Sequence, residues 1–412
     1  MTLQLTPYEQ SLLAGDQGRA AQKALQILVA LGTIYNAERL LPVASVQIAG
    51  VSYDNLGEAG LQWLSEMADG GGQAQTLATL NPAGMDIQNW PALGISPAFA
   101  ANQQRVIDAF TRMGVVAACT CTPYLIGNLP RYGEHIAWAE SSAVCYANSV
   151  IGARTNREGG PSALAAALTA RTPAYGLHLE PNRRPSVTIV IEPSLGSALD
   201  FTALGKAIGQ KLESAAPGLI PYLRGGLDPA EAGAASPASL EALKSFCASV
   251  ATYAGLPLFH WEGLTPEAAL YAPPADVLRV TADDLRLARA ALSDARPDEI
   301  DFVSLGCPHL SIQEIARAAQ LLRGKRVRKE FWLTTARPTK HIADQMGYTA
   351  IIEASGAKFA VDTCCVVAPI QGRFAALATD SAKACYYASS KNKFKTLLLT
   401  FDEVIQLAQE TP

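Results

Sequence analysis

The sequence has 412 residues, of which 49% are hydrophobic and 17% are charged, and its formal net charge is -4. This length exceeds one ordinary hydrophobic core, so we expect two or more lobes. The small net charge offers no basic surface for nucleic acid, and the hydrophobic fraction excludes a disordered chain. Polar residues interrupt the apolar stretches near the N-terminus, so neither an export signal nor a membrane anchor is expected. Eight cysteines in so long a chain indicate reduced thiols in a cytoplasm.

The first part of the chain alternates between helix and strand patterns. Thr6, Pro7 and Glu9 have a capping-box spacing that predicts a first helix, and a second helix is predicted from Asp16 to about Leu31. Next come a strand in VASVQIAGV, a helix in LGEAGLQWLSEMADGGG, a strand in AQTLATLNPAG, a helix in ANQQRVIDAFTRMG and a strand in VVAACTCTP. This alternation predicts a largely parallel sheet covered by helices.

The same alternation returns later and predicts a second α/β lobe. Its elements are a strand in SVTIVIEP, helices near 201–212 and 239–254, a helix in DDLRLARAAL, and IDFVSLG, SIQEIARAAQLLRG and EFWLTTAR as strand, helix and strand. The stretch 224–239 is rich in Gly, Ala, Pro and Ser, which predicts an exposed linker between lobes at 1–223 and 240–412. No phosphate loop or dinucleotide fingerprint occurs, so nucleotide chemistry is not indicated.

Three cysteine-containing segments end apolar, strand-like runs: AACTCTP, FVSLGCPH and FAVDTCCVVAP. In open α/β sheets the carboxyl ends of the strands form the crevice where ligands bind, so thiols remote in sequence can converge there. Cys307 precedes Ser311 and Glu314, a capping-box spacing whose helix N-terminus favours a thiolate. Thiolates without companion histidines suit iron-sulfur chemistry or zinc, although no Cys-x-x-Cys motif occurs.

The other two segments leave a choice between neighbouring thiols. In a strand, Cys119 and Cys121 would share a face, whereas Cys364 and Cys365 would point to opposite faces. Cys121 and Cys364 are preferred because they lie nearest to the turns. The remaining cysteines are expected to be buried apolar residues: Cys145, Cys247 and Cys385.

Polar residues also gather at the expected sheet edge. Asn81 ends a predicted strand, with a turn-forming Asn-Pro as its alternative role. His135, Glu140 and Ser141 fall on a predicted helix after the first thiol. His309 also neighbours the candidate site, whereas the other histidines have no such context and are expected to be structural: His178, His260 and His341.

The segment ARTNREGGPSA combines arginines with a glycine pair before a helix predicted to start near Pro161. An arginine grips a carboxylate or phosphate with two hydrogen bonds, and glycines before a helix expose backbone N–H groups to an anion. The segment therefore predicts an anion site, with a solvated turn and an Arg–Glu pair as the alternative. Its polar and glycine residues are Arg154, Asn156, Arg157, Glu158, Gly159 and Gly160.

Five segments together resemble the large, catalytic part of aconitase X: NPAGMD, CTPYLIGNLPRYGEHIAWAESSAV, NSVIGARTNREGGPSALAAALT, SLGCPHLSIQEI and VDTCCVVAP. The likeness runs over nearly the whole chain. It implies an α/β, aconitase-like, multi-lobed fold with largely parallel sheets covered by helices. It also implies a hydro-lyase, a dehydratase that removes water from a small hydroxy acid.

By this resemblance the thiols of CTPY, GCPH and DTC are the metal ligands, here Cys121, Cys307 and Cys364. Loss of water needs a Lewis acid for the departing hydroxyl and a base for the proton on the neighbouring carbon. Iron held by three thiolates keeps one coordination position open. The centre could be a single iron ion or an iron-sulfur cluster, and the sequence does not specify the number of iron atoms.

The resemblance assigns substrate orientation and proton handling to GEHIAWAESS and NREGG. The candidate catalytic residues are Glu140, Ser141, Glu158 and His135. The candidate substrate-binding residues are Asn81, Asn156, Arg157 and Gly159. Among these, Arg157 would clamp a carboxylate, and the general base is left open.

Aconitase-like enzymes also use a swivelling domain, which aconitase X relatives carry either fused or as a separate small subunit. The chain lacks a segment for it, so we expect a small partner subunit. Family members dehydrate cis-3-hydroxy-L-proline or 5-phosphomevalonate. A phosphate would require basic groups such as Arg131 and Arg154, and because nothing demands a phosphate, the sequence slightly favours hydroxyproline.

Two other classes of function compete with this interpretation. In the first, the cysteines hold a structural zinc ion or only pack, and the protein acts by binding a partner. In the second, a metal-free enzyme uses Cys307 as nucleophile with His309. The second is disfavoured because residues two apart around a proline rarely meet as nucleophile and base.

Overall fold

A computed structural model of the chain describes residues 3–213, 218–227 and 239–409. The chain forms two compact units, Met1–Arg184 and Pro185–Pro412. Each unit contains parallel strands joined through helices, so the predicted α/β fold with largely parallel sheets is confirmed. In the described ranges no helix is both long and apolar enough to cross a membrane.

The predicted linker at 224–239 does not coincide with the division between the units. Its first two residues complete the strand Pro221–Gly225 of the second unit. Residues 228–238 lie outside the described part of the chain. A composition rich in Gly, Ala, Pro and Ser indicates a surface connection, but it does not distinguish a connection within a unit from one between units.

The first unit contains six helices and five strands among its described residues. The helices are α1 (Pro7–Ala14), α2 (Arg19–Ile34), α3 (Tyr53–Asp69), α4 (Pro97–Arg112), α5 (Ser141–Tyr146) and α6 (Gly160–Thr169). The strands are β1 (Leu40–Pro42), β2 (Ser45–Ile48), β3 (Leu77–Leu80), β4 (Ala137–Trp138) and β5 (Arg171–Pro173).

The N-terminal helices show how local sequence sets their ends. The predicted capping box of α1 is present, since Thr6 Oγ1 accepts from the Glu9 N–H and the Glu9 carboxylate accepts from the Thr6 N–H. Helix α2 begins at Arg19 and not at Asp16, because Gly15 and Gly18 adopt φ angles of +93° and +94°. Glycine tolerates such angles, which are incompatible with a right-handed helix.

The main sheet of the first unit is parallel, with the strand order β3-β2-β4. Val116 forms a parallel bridge to Thr79 on β3, and Arg154 forms one to His135 just before β4. The separate pair of β1 and β5 is antiparallel. Because the strands of the main sheet run in one direction, their carboxyl ends lie along one edge.

The predicted strand VVAACTCTP forms only the bridge at Val116, so that prediction is wrong for most of the segment. Cys119 adopts a φ of +39°, which interrupts an extended chain. Thr120 still donates its N–H to the Leu80 carbonyl at 2.9 Å, so the segment reaches the carboxyl edge beside β3. The alternation argument for Cys119 and Cys121 therefore does not apply.

Helices cover the sheet of the first unit and bury its apolar strands. Val46 of β2 and Leu164 of α6 lie in one core with Leu25, Leu64 and Phe110 of three other helices. Full burial of such a side chain stabilises the fold by about 1.5–3 kcal/mol. The core thereby fixes the strand ends from which polar residues project.

The second unit contains two parallel sheets, of four and five strands, among its described residues. Its strands are β6 (Val187–Ile191), β7 (Pro221–Gly225), β8 (His260–Trp261), β9 (Val277–Val280), β10 (Phe302–Leu305), β11 (Glu330–Thr335), β12 (Lys358–Val361), β13 (Ala376–Thr379) and β14 (Lys395–Leu398). Its helices are α7 (Ala198–Glu213), α8 (Leu240–Tyr253), α9 (Ala282–Ala290), α10 (Ile312–Leu322), α11 (Arg337–Gln345), α12 (Tyr348–Ala354), α13 (Ala382–Tyr387) and α14 (Phe401–Gln409). The sheet orders are β8-β7-β6-β9 and β12-β11-β10-β13-β14.

One local arrangement occurs in both units. Strand β4 leads into α5, a π-helical turn at 147–151 and a left-handed Gly152. Strand β13 leads into α13, a π-helical turn at 388–392 and a left-handed Lys393. In each unit the chain then returns parallel to the strand it left. Such π-helical turns are frequent at functional sites.

Candidate active site

The carboxyl edge of the β3-β2-β4 sheet carries a hydrogen-bonded polar network. Gln47 of β2 lies at its centre, and its side-chain N–H groups reach Asn81 Oδ1 and the Thr120 carbonyl, each at 3.1 Å. Its Oε1 accepts from the Glu140 N–H at 2.8 Å. Asn81 Nδ2 donates to Glu140 Oε2 at 2.8 Å. The network therefore joins polar residues from three neighbouring strand ends.

Glu140 caps the N-terminus of α5 and accepts hydrogen bonds at both carboxylate oxygens. Its Oε1 accepts from the Ser142 hydroxyl at 3.1 Å and from the Ser141 hydroxyl at 3.4 Å. Asn81, Glu140 and Ser141 are each 8–9% exposed, whereas Gln47 is fully buried. The network thus presents an oriented carboxylate and hydroxyl at the surface of the edge, with Gln47 as its buried support.

The position of Asn81 agrees with the sequence prediction, whereas the helix predicted through His135 does not. Asn81 does end a strand at the same edge as Glu140 and Ser141. The helix predicted through His135 is wrong, because β4 occupies Ala137–Trp138 and α5 begins only at Ser141. Gln47 was not predicted, since a glutamine within a strand pattern gives no signal of a polar network.

The segment Arg154–Glu158 runs beside β4 in the same direction. It starts at the bridge to His135, and the Glu158 N–H donates to the Trp138 carbonyl at 2.9 Å. Glu158 therefore lies toward the carboxyl edge. Gly160, at the start of α6, approaches the Ala49 carbonyl so closely that an added Cβ would lie 2.9 Å from its oxygen. This approach brings the N-terminus of α6 to the end of β2.

Glu158 is a buried carboxyl held by two hydroxyls. Ser162 donates to Glu158 Oε2 at 2.5 Å and Thr172 to Oε1 at 3.5 Å. Burial raises the pKa of Glu158, and the two hydrogen bonds oppose this shift. A raised pKa favours the protonated form of the carboxyl, which keeps Glu158 among the proton-handling candidates.

Asn156 and Arg157 differ in whether their side chains are available to bind a ligand. The Asn156 amide donates to the Tyr175 carbonyl at 3.1 Å and accepts from the Leu177 N–H at 2.8 Å, so it holds the turn around Gly176. Arg157 is exposed and has neither a hydrogen bond nor an ion pair with its side chain among the described residues. Gly159 is also exposed, at the N-cap of α6. The anion-binding groups still available here are therefore Arg157 and the N-terminus of α6.

His135 lies at the opposite end of β4 from Glu140. Its Nδ1 lies 3.0 Å from Nδ1 of His178. Burial lowers the pKa of both rings, that of His178 to about 3, and nearby arginines, chiefly Arg154 for His135 and Arg183 for His178, lower both further. Each step along a strand spans roughly 3.3 Å, so His135 is separated from the Glu140 network by the length of β4.

Two of the predicted thiols share the carboxyl edge of the five-stranded sheet. Cys307 follows β10, and Cys364 follows β12. The loops are joined because His309 Nε2 donates to the Thr363 carbonyl at 3.0 Å. The predicted capping box of α10 is present, with Ser311 Oγ accepting from the Glu314 N–H. The ring of His309 therefore holds a loop and is not a base for Cys307.

Asp362 and Arg337 hold the loop before Cys364. The Arg337 Nε donates to the Asp362 carboxylate at 2.9 Å, and the Asp362 side chain is 1% exposed. Asp362 has a φ of +64°, so the chain turns sharply at the end of β12. This ion pair fixes the direction in which the following residues, including Cys364, leave the sheet.

All eight cysteines are free thiols, and their exposures separate them into two groups. Cys121, Cys307 and Cys364 are 6–9% exposed, whereas the other five are 0–3% exposed. Cys119 lies in the core of the first unit. Burial and the neighbouring Cys364 raise the pKa of Cys365, which disfavours its thiolate. The three thiols chosen from the sequence are thus the least buried of the eight.

The three thiols come from both units, with Cys121 in the first and the other two in the second. Within the described residues, no three His, Cys, Asp or Glu side chains form a group that could hold a metal ion. The ligand set therefore stays a prediction. Its support is the soft donor type, the exposures, and the tied loops of Cys307 and Cys364.

Family models for the aconitase X first, second and third domains match residues 2–181, 185–290 and 300–410. The phosphomevalonate dehydratase large subunit of Methanothermobacter thermautotrophicus is 44% identical over 382 residues, which cover 92% of each chain. That of Methanocaldococcus jannaschii is 40% identical over 413 residues, 98% of this chain and 99% of the relative. Cis-3-hydroxy-L-proline dehydratase of Pseudomonas aeruginosa is 35% identical over 399 residues, 93% of this chain and 66% of the relative.

The crystal structure of Thermococcus kodakaraensis aconitase X in its holo-form matches this fold with a TM-score of 0.89, at 39% identity over 100% of both chains. Together with the relatives, this fold defines a hydro-lyase, an enzyme that removes water from its substrate. The chain belongs to the aconitase X family. The family and the type of reaction predicted from the sequence are confirmed.

Proposed function

We propose that the chain is the large subunit of a phosphomevalonate dehydratase. The observation that supports this is the near-complete match to five relatives of that name, at 35–44% identity and over 91–100% of their lengths. The two cis-3-hydroxy-L-proline dehydratases are 33–35% identical, and the chain spans only 65–66% of each. This proposal replaces the slight preference for hydroxyproline, which rested only on the lack of a demand for phosphate.

The proposed substrate carries a carboxylate, a hydroxyl and a phosphate. Arg157 and the N-terminus of α6 are available to bind one of the two anionic groups, because neither is paired with a carboxylate among the residues that the structure describes. The oriented Glu140 carboxylate, supported by Asn81, would accept a hydrogen bond from a substrate hydroxyl. Ser141, which lies beside it, would donate or accept a second one.

We propose that iron is held by Cys121, Cys307 and Cys364. Thiolates are suitable ligands for iron, and these three are the least buried of the eight cysteines. Iron bound in this way would supply a Lewis acid for the departing hydroxyl. The chain itself would contribute the loop contacts that hold Cys307 and Cys364, namely the bond from His309 to Thr363 and the ion pair of Arg337 with Asp362.

The proposed partner is a small subunit, as the names of the large-subunit relatives imply. We also propose a cytoplasmic location, which is consistent with eight free thiols. A structural zinc ion in place of iron would support the competing interpretation as a partner-binding protein. Metal analysis of the anaerobically purified chain separates the two, because they require different metals.

The test is to co-express the chain with a small subunit from the same organism and to assay both substrates under anaerobic conditions. Loss of water, followed by mass spectrometry, is expected from phosphomevalonate and not from cis-3-hydroxy-L-proline. A complex with Cys307→Ser serves as a matched inactive control. Turnover of hydroxyproline alone would contradict the substrate, and turnover of neither would contradict the proposed function.

A further inference from the structure

The π-helical turn at 388–392, which follows α13, sends two side chains to the loop that carries Cys364. The buried Asn392 donates from Nδ2 to the Cys365 carbonyl at 2.9 Å. Nζ of Lys391 donates to the carbonyls of the next two residues of the loop, at 3.2 and 3.3 Å. The turn therefore holds the three backbone carbonyls that directly follow Cys364.

Cys364 is bracketed by hydrogen bonds at both neighbouring residues. The His309 ring donates to the Thr363 carbonyl at 3.0 Å, and Asn392 holds the Cys365 carbonyl. The two donors come from separate segments of the second unit, the connection between β10 and α10 and the end of the π-helical turn before β14. Fixing the peptide groups on both sides of a residue restricts the rotation of its backbone. The two bonds therefore restrict the direction in which the Cys364 side chain points.

The loop also forms a turn that closes on Cys364 itself. The N–H groups of Val367 and Ala368 donate to the Cys364 carbonyl at 3.2 and 3.1 Å. A buried backbone carbonyl requires a hydrogen-bond partner, and Asn392 supplies one to Cys365 from outside the loop. Loss of this donor would leave the Cys365 carbonyl unpaired and would favour opening of the turn.

The hydrogen bonds of Asn392 distinguish this role from ordinary capping at the end of a helix. Among the described residues its Oδ1 has no partner, and its Nδ2 bonds to a residue 27 positions earlier in the chain. A polar side chain that merely capped the turn would bond to the backbone of its own helix, as the Ser390 hydroxyl does to the Tyr386 carbonyl at 2.7 Å. The asparagine amide is therefore directed at the thiol loop.

The corresponding turn of the first unit also uses an asparagine to hold a neighbouring segment. Asn148, in the π-helical turn at 147–151, donates from Nδ2 to the Thr155 carbonyl at 2.9 Å and accepts from the Thr155 N–H at 3.0 Å. This segment leads to Arg157 and Glu158. The same local structure thus holds a candidate substrate segment in one unit and a candidate metal-binding loop in the other.

We propose that Asn392 and Lys391 are positioning residues that hold the Cys364 loop in the conformation that binds iron. This assignment rests on the proposed function, in which Cys364 is a ligand of the metal. Side chains that hold the ligands of a metal from outside typically change its affinity by about 10- to 100-fold when they are replaced. Asn392 and Lys391 act on the backbone of the loop and not on the substrate.

The test compares Asn392→Leu with Ser390→Ala in the two-subunit enzyme. Leucine has nearly the shape of asparagine but no donor, so the substitution leaves the Cys365 carbonyl unpaired. Ser390→Ala removes a hydrogen bond of the same turn that does not reach the loop, so it is the matched control.

Amide hydrogen exchange of the metal-free enzyme measures the loop independently of iron and of activity. The peptide that contains Val367 and Ala368 should exchange at least about tenfold faster in Asn392→Leu, because opening of the turn frees both N–H groups. Ser390→Ala should stay within about twofold of wild type. An unchanged exchange rate in Asn392→Leu would overturn the proposal.

Transfer of iron to a ferrous chelator measures the consequence for the metal. Anaerobically purified Asn392→Leu should release iron about 10- to 100-fold faster than wild type, whereas Ser390→Ala should release it at the wild-type rate. Equal rates of release from the two variants would contradict the positioning role, even if the loop exchanges faster.

Lys391→Met covers the case in which Asn392→Leu does not fold. Methionine keeps the aliphatic part of the lysine and removes the ammonium group that donates to the loop. Loop exchange and iron release should both rise, by about three- to tenfold, and a wild-type rate in either measurement would overturn the proposal. A wild-type enzyme that is inactive on both substrates would contradict the proposed function instead. The exchange measurement would still test the role of Asn392, so the two failures are distinguishable.

Discussion

Glu140 and Asp380 occupy comparable places in the two units but differ in their surroundings. Glu140 caps α5, and Asp380 precedes the Ser381 cap of α13, in two arrangements that share a strand, a short helix and a π-helical turn. Glu140 accepts hydrogen bonds at both oxygens, whereas Asp380 accepts none from another residue among the described parts of the chain. We propose that the first edge orients the substrate and that the second holds the metal through Cys307 and Cys364.

Glu140→Gln tests this comparison most strongly, because it changes the residue that is proposed to orient the substrate. The amide would turn its NH2 group toward one of the two donors, Asn81 or Ser142, so the network must rearrange. We expect kcat to fall by about 100-fold, and steady-state kinetics of the two-subunit enzyme measure this decrease.

Ser142→Ala is the control for Glu140→Gln, because it removes only one hydrogen bond from the Glu140 carboxylate. Such a bond contributes about 1 kcal/mol, so a decrease in kcat of no more than about fivefold is expected. A decrease of less than about fivefold in Glu140→Gln as well would contradict the orienting role of Glu140.

Arg157→Ala tests the orienting role of the first edge through substrate affinity. Its guanidinium is exposed and unpaired among the described residues, so its removal should not unfold the chain. A charge-assisted hydrogen bond contributes about 1.5–3 kcal/mol, so KM should rise roughly 10- to 100-fold. Arg326→Ala, on an exposed loop after α10, should leave KM unchanged. Equal effects of the two substitutions would remove the basis for Arg157 as an anion clamp.

The opposite edge of the first sheet should affect stability and not catalysis. The folded pKa of His178 is about 3, against 6.5 for an unperturbed ring, and that of His135 is also lowered. The unfolded chain therefore takes up protons more readily, so the stability contributed above pH 6.5 is lost as pH falls. Protonation of His178 should decrease the free energy of unfolding by up to about 1.4 kcal/mol per pH unit below pH 6.5, and His135 should add a smaller loss in the same direction.

Urea unfolding at a series of pH values measures this loss. His178→Asn should flatten the dependence below pH 6.5, whereas His341→Asn, on an exposed helix, should leave it unchanged. A wild-type slope that persists in His178→Asn would show that other groups cause the dependence.

The sequence predicted those features that short-range physics determines. The Ser311–Glu314 spacing predicted the cap of α10, and the end of a strand placed Asn81 at the carboxyl edge. The preference for Cys121 and Cys364 over their neighbours also rests on adjacent turns, and it stays a prediction. Each of these inferences needs only a few adjacent residues.

Features that depend on pairing between distant segments could not be predicted. Gln47 is an ordinary residue of a strand pattern until β3 and β4 place Asn81 and Glu140 beside it. The helix predicted through His135 failed because pairing with β2 outweighs local helical propensity.

The most direct test of the account is the iron content of single cysteine variants of the anaerobically purified two-subunit enzyme. Cys121→Ser, Cys307→Ser and Cys364→Ser should each lose bound iron, whereas Cys247→Ser, at a fully buried thiol, should retain the wild-type amount. Equal iron content in all four variants would contradict the assignment of the three less buried thiols as the metal ligands.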